Sequence, residues 1–382
     1  MLSRRSFVRT LGAGAAASSL APLLHGRGLE AMAFDDLERV AAWRGDPQLI
    51  RLDSNENPNG PAKAAIVAVR DAMREASLYP RDRVAALRDA IAAAQGIPAE
   101  GVVLGAGSAE VLRAAVFAFC GPDRPLVTAI PSYEAPQRDA ALVRAPVRGI
   151  PVTGDMHLDL DAMAAAAPGA GLVFLCNPNN PTGTLHGTEA VAACLARITR
   201  EAPATTILVD EAYHEYVADP RYASALPTAI AQPNVIVSRT FSKIYGIAGL
   251  RVGYAMGQPA TIAKLRAQVL PLAINQFGAI AAHACLQQPG LVEKERDGNR
   301  AALEWTTAEF RRLGHTVADS HANFVLVDLK RDAQPFREAC RAAGVLVGRG
   351  FAPLTTHVRI SIGTAREMER AMERFRRILA TA

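Results

Sequence analysis

A lysine flanked by phosphate-binding groups is the feature of this sequence with the clearest chemistry. It lies in the loop after the apolar run 235–237, which predicts a buried strand. Thr240, Ser242 and Arg251 supply two hydroxyls and a guanidinium, groups with which proteins bind a phosphate. Lys243 lies between them, where a lone lysine would normally be a solvated surface residue. In this setting its amine suits covalent attachment of a phosphorylated aldehyde cofactor.

Three more apolar runs are each followed by a polar residue that could contact a ligand. These residues are Tyr133, Asn180 and Asp210, after the runs 126–130, 172–176 and 206–209. The ends of strands are where α/β sheets bind ligands. Two prolines in the turn 177–183 would hold the Asn180 amide rigidly. A carboxylate beside a buried strand is costly without a cation, although Asp210 could instead be a helix N-cap and Tyr133 a core residue.

A glycine turn lies earlier in the chain, at residues 105–110. It follows the apolar run 102–104 and precedes a helix with apolar periodicity, of which Ser108 and Ala109 are among the first residues. A strand, a glycine turn and a helix N-terminus together form an anion site from backbone N–H groups and the helix dipole. An ordinary strand–helix turn is the alternative.

These residues need a sheet to bring them together. Short buried strands alternate with Ala-rich helices from about residue 102 to 270, which predicts an α/β fold with a mostly parallel, doubly wound sheet. The later pattern predicts a smaller α+β domain. We expect a leader over 1–33, an N-terminal segment over 34–75 that packs with the small domain, a large domain over 76–285 and the small domain over 286–382.

The stretch from Ser238 to Gly253 resembles the signature S-[KR]-x-x-G-[IL]-A-G-L-R-x-G of fold type I pyridoxal-phosphate (PLP) aminotransferases, and specifically the histidinol-phosphate aminotransferase-like group. The string N-P-N-N-P-T-G at 177–183 is similar to that family too, and the resemblance extends over residues 50–380. It implies a PLP enzyme that moves an amino group between an L-amino acid, or a histidinol-phosphate-like amine, and a 2-oxo acid.

The resemblance implies a role for each polar residue. Lys243 would bind the cofactor and move the substrate α-proton. Asp210 would keep the ring nitrogen protonated, Asn180 and Tyr213 would bind the ring oxygen, and Tyr133 would stack on the ring. The residues implied for the phosphate are Ser108, Ala109, Thr240, Ser242 and Arg251. The family usually has Asp where this chain has Ala109, which puts one side-chain contact in doubt and leaves the backbone donors in place.

Substrate binding is implied at two arginines. Arg359 and Asn180 would bind the substrate carboxylate. The family usually places another arginine directly after the next strand, where this chain has Gly348, and Arg349 follows one residue later. A slip of one residue reverses the face on which a strand side chain lies. Arg349 is therefore a substrate-binding candidate, and the chemistry of the substrate's distal group stays open.

Tyr79 implies an assembly. In the resembled family the tyrosine at this place contacts the cofactor phosphate of the neighbouring subunit. We therefore expect a homodimer with composite sites.

The N-terminus has the layout of a twin-arginine secretory signal. Arg4 and Arg5 precede an Ala-rich apolar run over 11–24, and Ala31-Met32-Ala33 offers a cleavage site. The run is too short and too rich in Gly and Ala for a stable membrane span. We expect the twin-arginine machinery to be a partner and the protein to be periplasmic or secreted. The alternative is a frayed helix start on a cytoplasmic protein.

Net charge and cysteine spacing exclude several kinds of partner and site. Four arginines and one glutamate give the leader a net charge of +3, so the rest of the chain carries about +2 of the total net charge of +5. This leaves no basic patch that would bind nucleic acid. The five cysteines are far apart and odd in number, so they fit neither a disulfide framework nor a metal site. We expect free buried thiols and no bound metal.

Other PLP chemistry shares the same cofactor residues. A decarboxylase or an oxidase of this fold is the main alternative to an aminotransferase. A non-catalytic PLP-binding sensor is a third possibility, but such regulators usually carry a DNA-binding domain, and no such domain is visible between the leader and residue 50.

Overall fold

The computed structural model describes residues 49–380. The predicted leader and the beginning of the segment 34–75 lie outside these residues. The strands are β1 (Ile50–Leu52), β2 (Val102–Gly105), β3 (Leu126–Ile130), β4 (Val147–Pro151), β5 (Leu172–Cys176), β6 (Thr206–Asp210), β7 (Val235–Thr240), β8 (Gly253–Gly257), β9 (Thr316–Val317), β10 (Phe324–Asp328), β11 (Val345–Val347) and β12 (His357–Ser361). The α-helices are α1 (Lys63–Asp71), α2 (Arg81–Gln95), α3 (Ser108–Phe119), α4 (Ala135–Leu142), α5 (Leu160–Ala165), α6 (Thr188–Glu201), α7 (Leu226–Ala231), α8 (Pro259–Arg266), α9 (Gln276–Leu286), α10 (Leu291–Arg312), α11 (Ala333–Ala342) and α12 (Ala365–Ala380).

A seven-stranded sheet forms the centre of the larger part, in the order β2-β8-β7-β6-β5-β3-β4. The strands from β4 to β7 pair in parallel, whereas β8 runs antiparallel between β2 and β7. The fold is thus the mostly parallel α/β class that the alternation of strands and helices predicted. Its consequence for function is that the carboxyl ends of β3, β5, β6 and β7 meet at one edge of the sheet.

Burial explains which strands are visible in the sequence. Every residue of β5 and β6 is buried, and their continuous apolar runs are typical of strands covered on both faces. β4 is different, because most of its residues are exposed at the edge of the sheet. No apolar run predicts it, since an edge strand with little burial does not need one.

The smaller part is built on the antiparallel sheet β12-β10-β9. Helix α12 buries Met368, Met372 and Phe375 on one face, at the spacing of helical turns. The Phe375 ring lies 5.7 Å from that of Phe310 and 5.6 Å from that of Phe336, measured between centroids. The three aromatic rings form the centre of a separate core.

The N-terminal residues divide between the two cores. β1 pairs in parallel with β11, and Ile50 and Leu52 belong to the small core. Helix α1 instead packs on α9, and its Ala65 belongs to the large core. The segment expected to pack with the small domain therefore passes from one core to the other between Leu52 and Lys63, across the edge where the parallel strands end.

The structure also bears on the cysteines. All five are buried and free, as their spacing predicted. Burial raises the pKa of Cys120, Cys194, Cys285 and Cys340 to about 12, so these thiols stay protonated and unreactive. None of the helices within residues 49–380 is long and apolar enough to cross a membrane.

Candidate active site

One cavity of about 240 Å³ lies at the carboxyl edge of the large sheet. Ten of the eleven residues predicted to hold a cofactor line it. They are Ser108, Ala109, Tyr133, Asn180, Asp210, Tyr213, Thr240, Ser242, Lys243 and Arg251. The sheet therefore brings together residues that are up to 143 positions apart in the sequence (108 to 251).

One end of the cavity is an anion cradle. The N-terminus of α3 begins there at Ser108, and Arg251 donates to the Ser242 hydroxyl at 3.4 Å. Gly107 is packed so closely that a Cβ on it would lie 2.1 Å from Arg251 Nη2. Backbone N–H groups, hydroxyls and a guanidinium that converge on one point form a binding site for a phosphate. Thr240 is held in place because its hydroxyl accepts from the Ser242 amide at 3.0 Å.

The opposite end holds a buried carboxylate. Asp210 is 3% exposed, and burial raises its pKa to about 6. Its Oδ1 accepts a hydrogen bond of 2.8 Å from the Ser238 hydroxyl. An ionised carboxylate here favours a cation in the cavity, and a protonated ring nitrogen would supply one.

A tyrosine and two amides lie between the two ends. The Tyr213 hydroxyl accepts from Asn55 at 3.1 Å and from Asn180 at 3.4 Å. Burial raises the pKa of Tyr213 above its ordinary value, so its hydroxyl stays protonated and able to donate. Tyr133 also lines the cavity. Its pKa is raised mainly by burial and secondly by the negative charge of Asp210. These groups could bind an oxygen on a ring and cover its face.

Lys243 has a perturbed amine. Its Nζ donates to the backbone carbonyls of Asn55 at 3.2 Å and Ser54 at 3.4 Å. Burial, together with Arg359, lowers the pKa of Lys243 to about 8. A lysine with so low a pKa is partly neutral near pH 7.5 and can act as a nucleophile or a base.

A second cavity of about 650 Å³ opens beside the first and shares Lys243, Asn180 and Tyr133 with it. Arg359 lines this larger cavity and is 8% exposed. It donates to Asn180 Oδ1 at 2.7 Å and to the Asp53 carbonyl at 2.8 Å. Its buried Nε has no hydrogen-bond partner among residues 49–380, which leaves a donor for a carboxylate.

Arg349 lines the same larger cavity, although the one-residue offset left its position open. β11 ends at Val347, so strand alternation no longer fixes the direction of residue 349. A Cβ on Gly348 would lie 2.7 Å from the Arg359 carbonyl, which leaves no room for an arginine there. Arg349 donates to Glu134 at 2.6 Å across the cavity mouth.

Two site residues were not predicted individually. Asn55 bridges Tyr213 and Ser361, since its backbone N–H donates to the Ser361 hydroxyl at 2.8 Å. The run N-E-N-P at 55–58 marks this segment as polar, but the sequence does not show which asparagine turns inward. Ser238 is the other. It lies inside β7, and only the register of β7 with β6 shows that it is opposite Asp210.

Tyr79 is placed elsewhere. Its side chain is 77% exposed, and it does not contribute to the lining of the smaller cavity within residues 49–380. A role at the cofactor would therefore have to be exercised in another subunit.

The residues of the smaller cavity fit PLP. The cradle matches a phosphate, the buried Asp210 matches a pyridine nitrogen, and Lys243 offers an amine with a lowered pKa. A mostly parallel sheet that carries these groups at its carboxyl edge defines the class of fold type I PLP-dependent enzymes.

Comparison with known proteins identifies the family. The chain belongs to the aminotransferase class I and II family, whose sequence pattern matches residues 47–375. It is 38% identical to a histidinol-phosphate aminotransferase of Symbiobacterium thermophilum, over 88% of this chain and 92% of that protein. It is also 38% identical to an aromatic amino acid aminotransferase of Thermobifida fusca, over 83% and 87% of the two chains.

A solved structure agrees with this assignment. The histidinol-phosphate aminotransferase of Sinorhizobium meliloti, in complex with pyridoxal-5'-phosphate, superposes with a TM-score of 0.82 at 26% identity. The match covers 97% of this chain and 99% of that one. The protein is a PLP-dependent aminotransferase that moves an amino group between an amino acid or a related amine and a 2-oxo acid.

Proposed function

We propose that the preferred amino substrate carries an acidic group at its distal end, such as a phosphate ester. The observation that carries this proposal is the charge of the larger cavity. Five arginines and Lys243 line it, against three carboxylates. Arg138, Arg337, Arg341 and Arg349 lie in its outer lining, and a guanidinium fork matches the geometry of phosphate and carboxylate. The name of the Symbiobacterium relative, a histidinol-phosphate aminotransferase, supports the same choice.

The aromatic alternative has weaker support. The Thermobifida relative is named for aromatic amino acids, and Phe351 lies in the cavity lining. That ring is already covered by cations, since the Arg349 guanidinium lies 4.4 Å from its centroid and that of Arg359 lies 4.9 Å away. An aromatic substrate would have to displace at least one of these cations.

Each residue then has a role in the reaction. PLP supplies the electron sink when bound. Lys243 Nζ takes the proton from the substrate Cα, a step in which a positioned base contributes about 10²–10⁴-fold. Asp210 would supply a negative charge for the ring nitrogen, and Asn180 and Tyr213 would bind the ring oxygen. Arg359 binds the carboxylate of an amino-acid substrate through its free Nε. Histidinol phosphate has no carboxylate, so its phosphate is the acidic group that the arginines bind.

A substrate panel tests the proposal. Histidinol phosphate, glutamate and phenylalanine would each be assayed with a 2-oxo acid, in the wild type and in Arg349→Met and Arg337→Met. We expect kcat/KM to fall about ten-fold or more for the acidic substrates and little for phenylalanine, because a charge-assisted contact is lost. Arg331→Met is the matched control, since Arg331 lies near α11 but is not part of the cavity lining described.

Two results would contradict the proposal. One is a preference of the wild type for phenylalanine over every acidic substrate. The other is release of carbon dioxide or hydrogen peroxide when no 2-oxo acid is present, which would indicate the decarboxylase or oxidase chemistry. An aminotransferase instead releases one carbonyl product per site and leaves the amino group on the cofactor.

We propose that the active unit is a homodimer. Met73, Leu78 and Tyr79 are large apolar or aromatic side chains that lie close together in the sequence and that the single chain leaves exposed. Exposed apolar side chains of this kind mark contact surfaces. An open cavity of about 540 Å³ adjoins the anion cradle and shares Ala109 with it. In the proposed dimer Tyr79 of the second copy reaches the cofactor phosphate from this side.

We also propose export through the twin-arginine route, with removal of residues 1–33. The support is the sequence Ser3-Arg4-Arg5-Ser6-Phe7 followed by the apolar run and the Ala31-Met32-Ala33 site. A periplasmic or secreted location follows from it.

A further inference from the structure

A buried serine lies next to the carboxylate proposed to bind the ring nitrogen. Strands β6 and β7 are parallel, and their register sets Ser238 opposite Asp210. Ser238 is fully buried, at 0% exposure, and donates to Asp210 Oδ1 at 2.8 Å. The residues before it in β7 are the apolar Val235, Ile236 and Val237.

The hydroxyl is not explained by packing alone. A buried hydroxyl is costly unless it is hydrogen-bonded, so alanine would be the simpler choice in this strand. The Ser238 hydroxyl can donate one hydrogen bond, and it donates this bond to Asp210. Besides this bond, the Asp210 carboxylate receives a hydrogen bond from the Ala212 amide. Removal of the Ser238 hydroxyl would leave a buried carboxylate with fewer donors.

The neighbouring residues Glu211 and Arg239 form an ion pair of their own. Glu211 is 1% exposed and accepts from Arg239 Nε at 3.0 Å. Ser224 donates to the same carboxylate at 2.8 Å. Because side chains alternate along a strand, this ion pair and the Asp210–Ser238 pair lie on opposite faces of the sheet. The charge of Glu211 raises the pKa of Asp210, so Asp210 needs donors of its own to stay ionised.

We propose that Ser238 is a positioning residue that fixes the Asp210 carboxylate toward the cavity and keeps it ionised for the cofactor's ring nitrogen. The inference rests on the proposed role of Asp210. Ser238 acts through a single hydrogen bond to the Asp210 carboxylate, which favours the ionised form of that carboxylate and limits its rotation.

The test compares holoenzymes of Ser238→Ala, Ser238→Thr and Ser224→Ala with the wild type and Asp210→Asn. Ser238→Thr keeps the hydroxyl, and Ser224→Ala removes a hydroxyl from the neighbouring carboxylate. The readouts are the NMR signal of ring-¹⁵N-labelled PLP, the pH midpoint of the cofactor absorbance, and kcat and KM measured separately.

We expect Ser238→Ala to move the ring-nitrogen signal toward that of Asp210→Asn and to lower kcat about ten-fold with little change in KM, the scale of one hydrogen bond to a charged group. Ser238→Thr should restore both values, and Ser224→Ala should leave the ring-nitrogen signal at its wild-type position. If Ser238→Ala does not fold, Ser238→Cys replaces it, since a thiol of similar size is a weak donor.

Two outcomes would overturn the inference, and they differ in what else they affect. If Asp210→Asn changes the ring-nitrogen signal while Ser238→Ala and Ser238→Cys leave it unchanged, Ser238 has no positioning role and Asp210 keeps its own. If neither substitution changes the signal, the proposed role of Asp210 fails together with that of Ser238.

Discussion

Burial sets the charge of the reacting groups in the smaller cavity. Lys243 and Asp210 both lose water there, and each is shifted toward its neutral form. The shift suits a nucleophilic amine, whereas at the carboxylate it is opposed by the hydrogen bond that Ser238 donates. The same desolvation thus helps one residue and has to be offset at the other.

The pKa of Lys243 leads to a prediction on cofactor capture. Only the neutral amine attacks an aldehyde, so the rate of covalent capture of PLP by the apoprotein should rise with pH and level off above about pH 8, because the pKa of Lys243 is lowered from 10.5 to about 8. Below that midpoint the rate should fall about ten-fold per pH unit. Stopped-flow absorbance measures it, and Lys243→Ala should show no covalent adduct reducible by borohydride.

Arg359→Met provides the matched comparison. Arg359 lowers the pKa of Lys243, so its removal stabilises the ammonium form and should move the capture midpoint to higher pH. A wild-type midpoint near pH 10 would contradict the assignment of a partly buried, cation-flanked amine.

At the scale of the elements, the anion cradle depends on how closely α3 approaches the loop after β7. Gly107 has a φ of 82°, and a Cβ there would meet Arg251 Nη2 at 2.1 Å. Gly107→Ala should therefore push Arg251 aside and weaken PLP binding about ten-fold or more, the cost of a charge-assisted phosphate contact. Binding of pyridoxal without its phosphate should change less. Equilibrium dialysis measures both.

Gly96→Ala is the control for backbone strain. Gly96 has a φ of 65°, but a Cβ there meets nothing within 4 Å. This variant should lose roughly 1 kcal/mol of stability and bind PLP normally. Equal loss of PLP affinity in both variants would mean that strain, and not the Arg251 contact, is responsible.

The sequence predicts the elements that are buried and the site residues that follow them. Asp210 ends a strand whose apolar run is visible, and Asn180 and Lys243 lie in the loops that follow two such strands, so all three were found. Contacts set by register or by packing were not found. The Ser238–Asp210 bond requires the pairing of β6 with β7, and the crowding of Gly348 by Arg359 requires the fold of the small domain.

At the scale of the whole molecule, the proposed leader leads to a prediction on export. The twin-arginine route is specific for its arginine pair, so Arg4→Lys combined with Arg5→Lys should trap the precursor inside the cell. Fractionation of the cells measures it by the location and mass of the protein. Normal export and processing of the double variant would mean that another route carries it.

The proposed composite site leads to a prediction on how two defective subunits complement each other. In the proposed dimer each cavity takes Lys243 from one subunit and Tyr79 from the other, and Tyr79 is 77% exposed in the single chain. Refolding an equal mixture of Lys243→Ala and Tyr79→Ala chains should place them together in half of the dimers. One site of each hybrid then has both native residues, so about a quarter of all sites should regain wild-type activity at limiting PLP. If Tyr79 instead acted within its own subunit, every site would keep a defect and mixing would restore nothing. A fully active monomer in sedimentation at the assay concentration would also contradict the dimer.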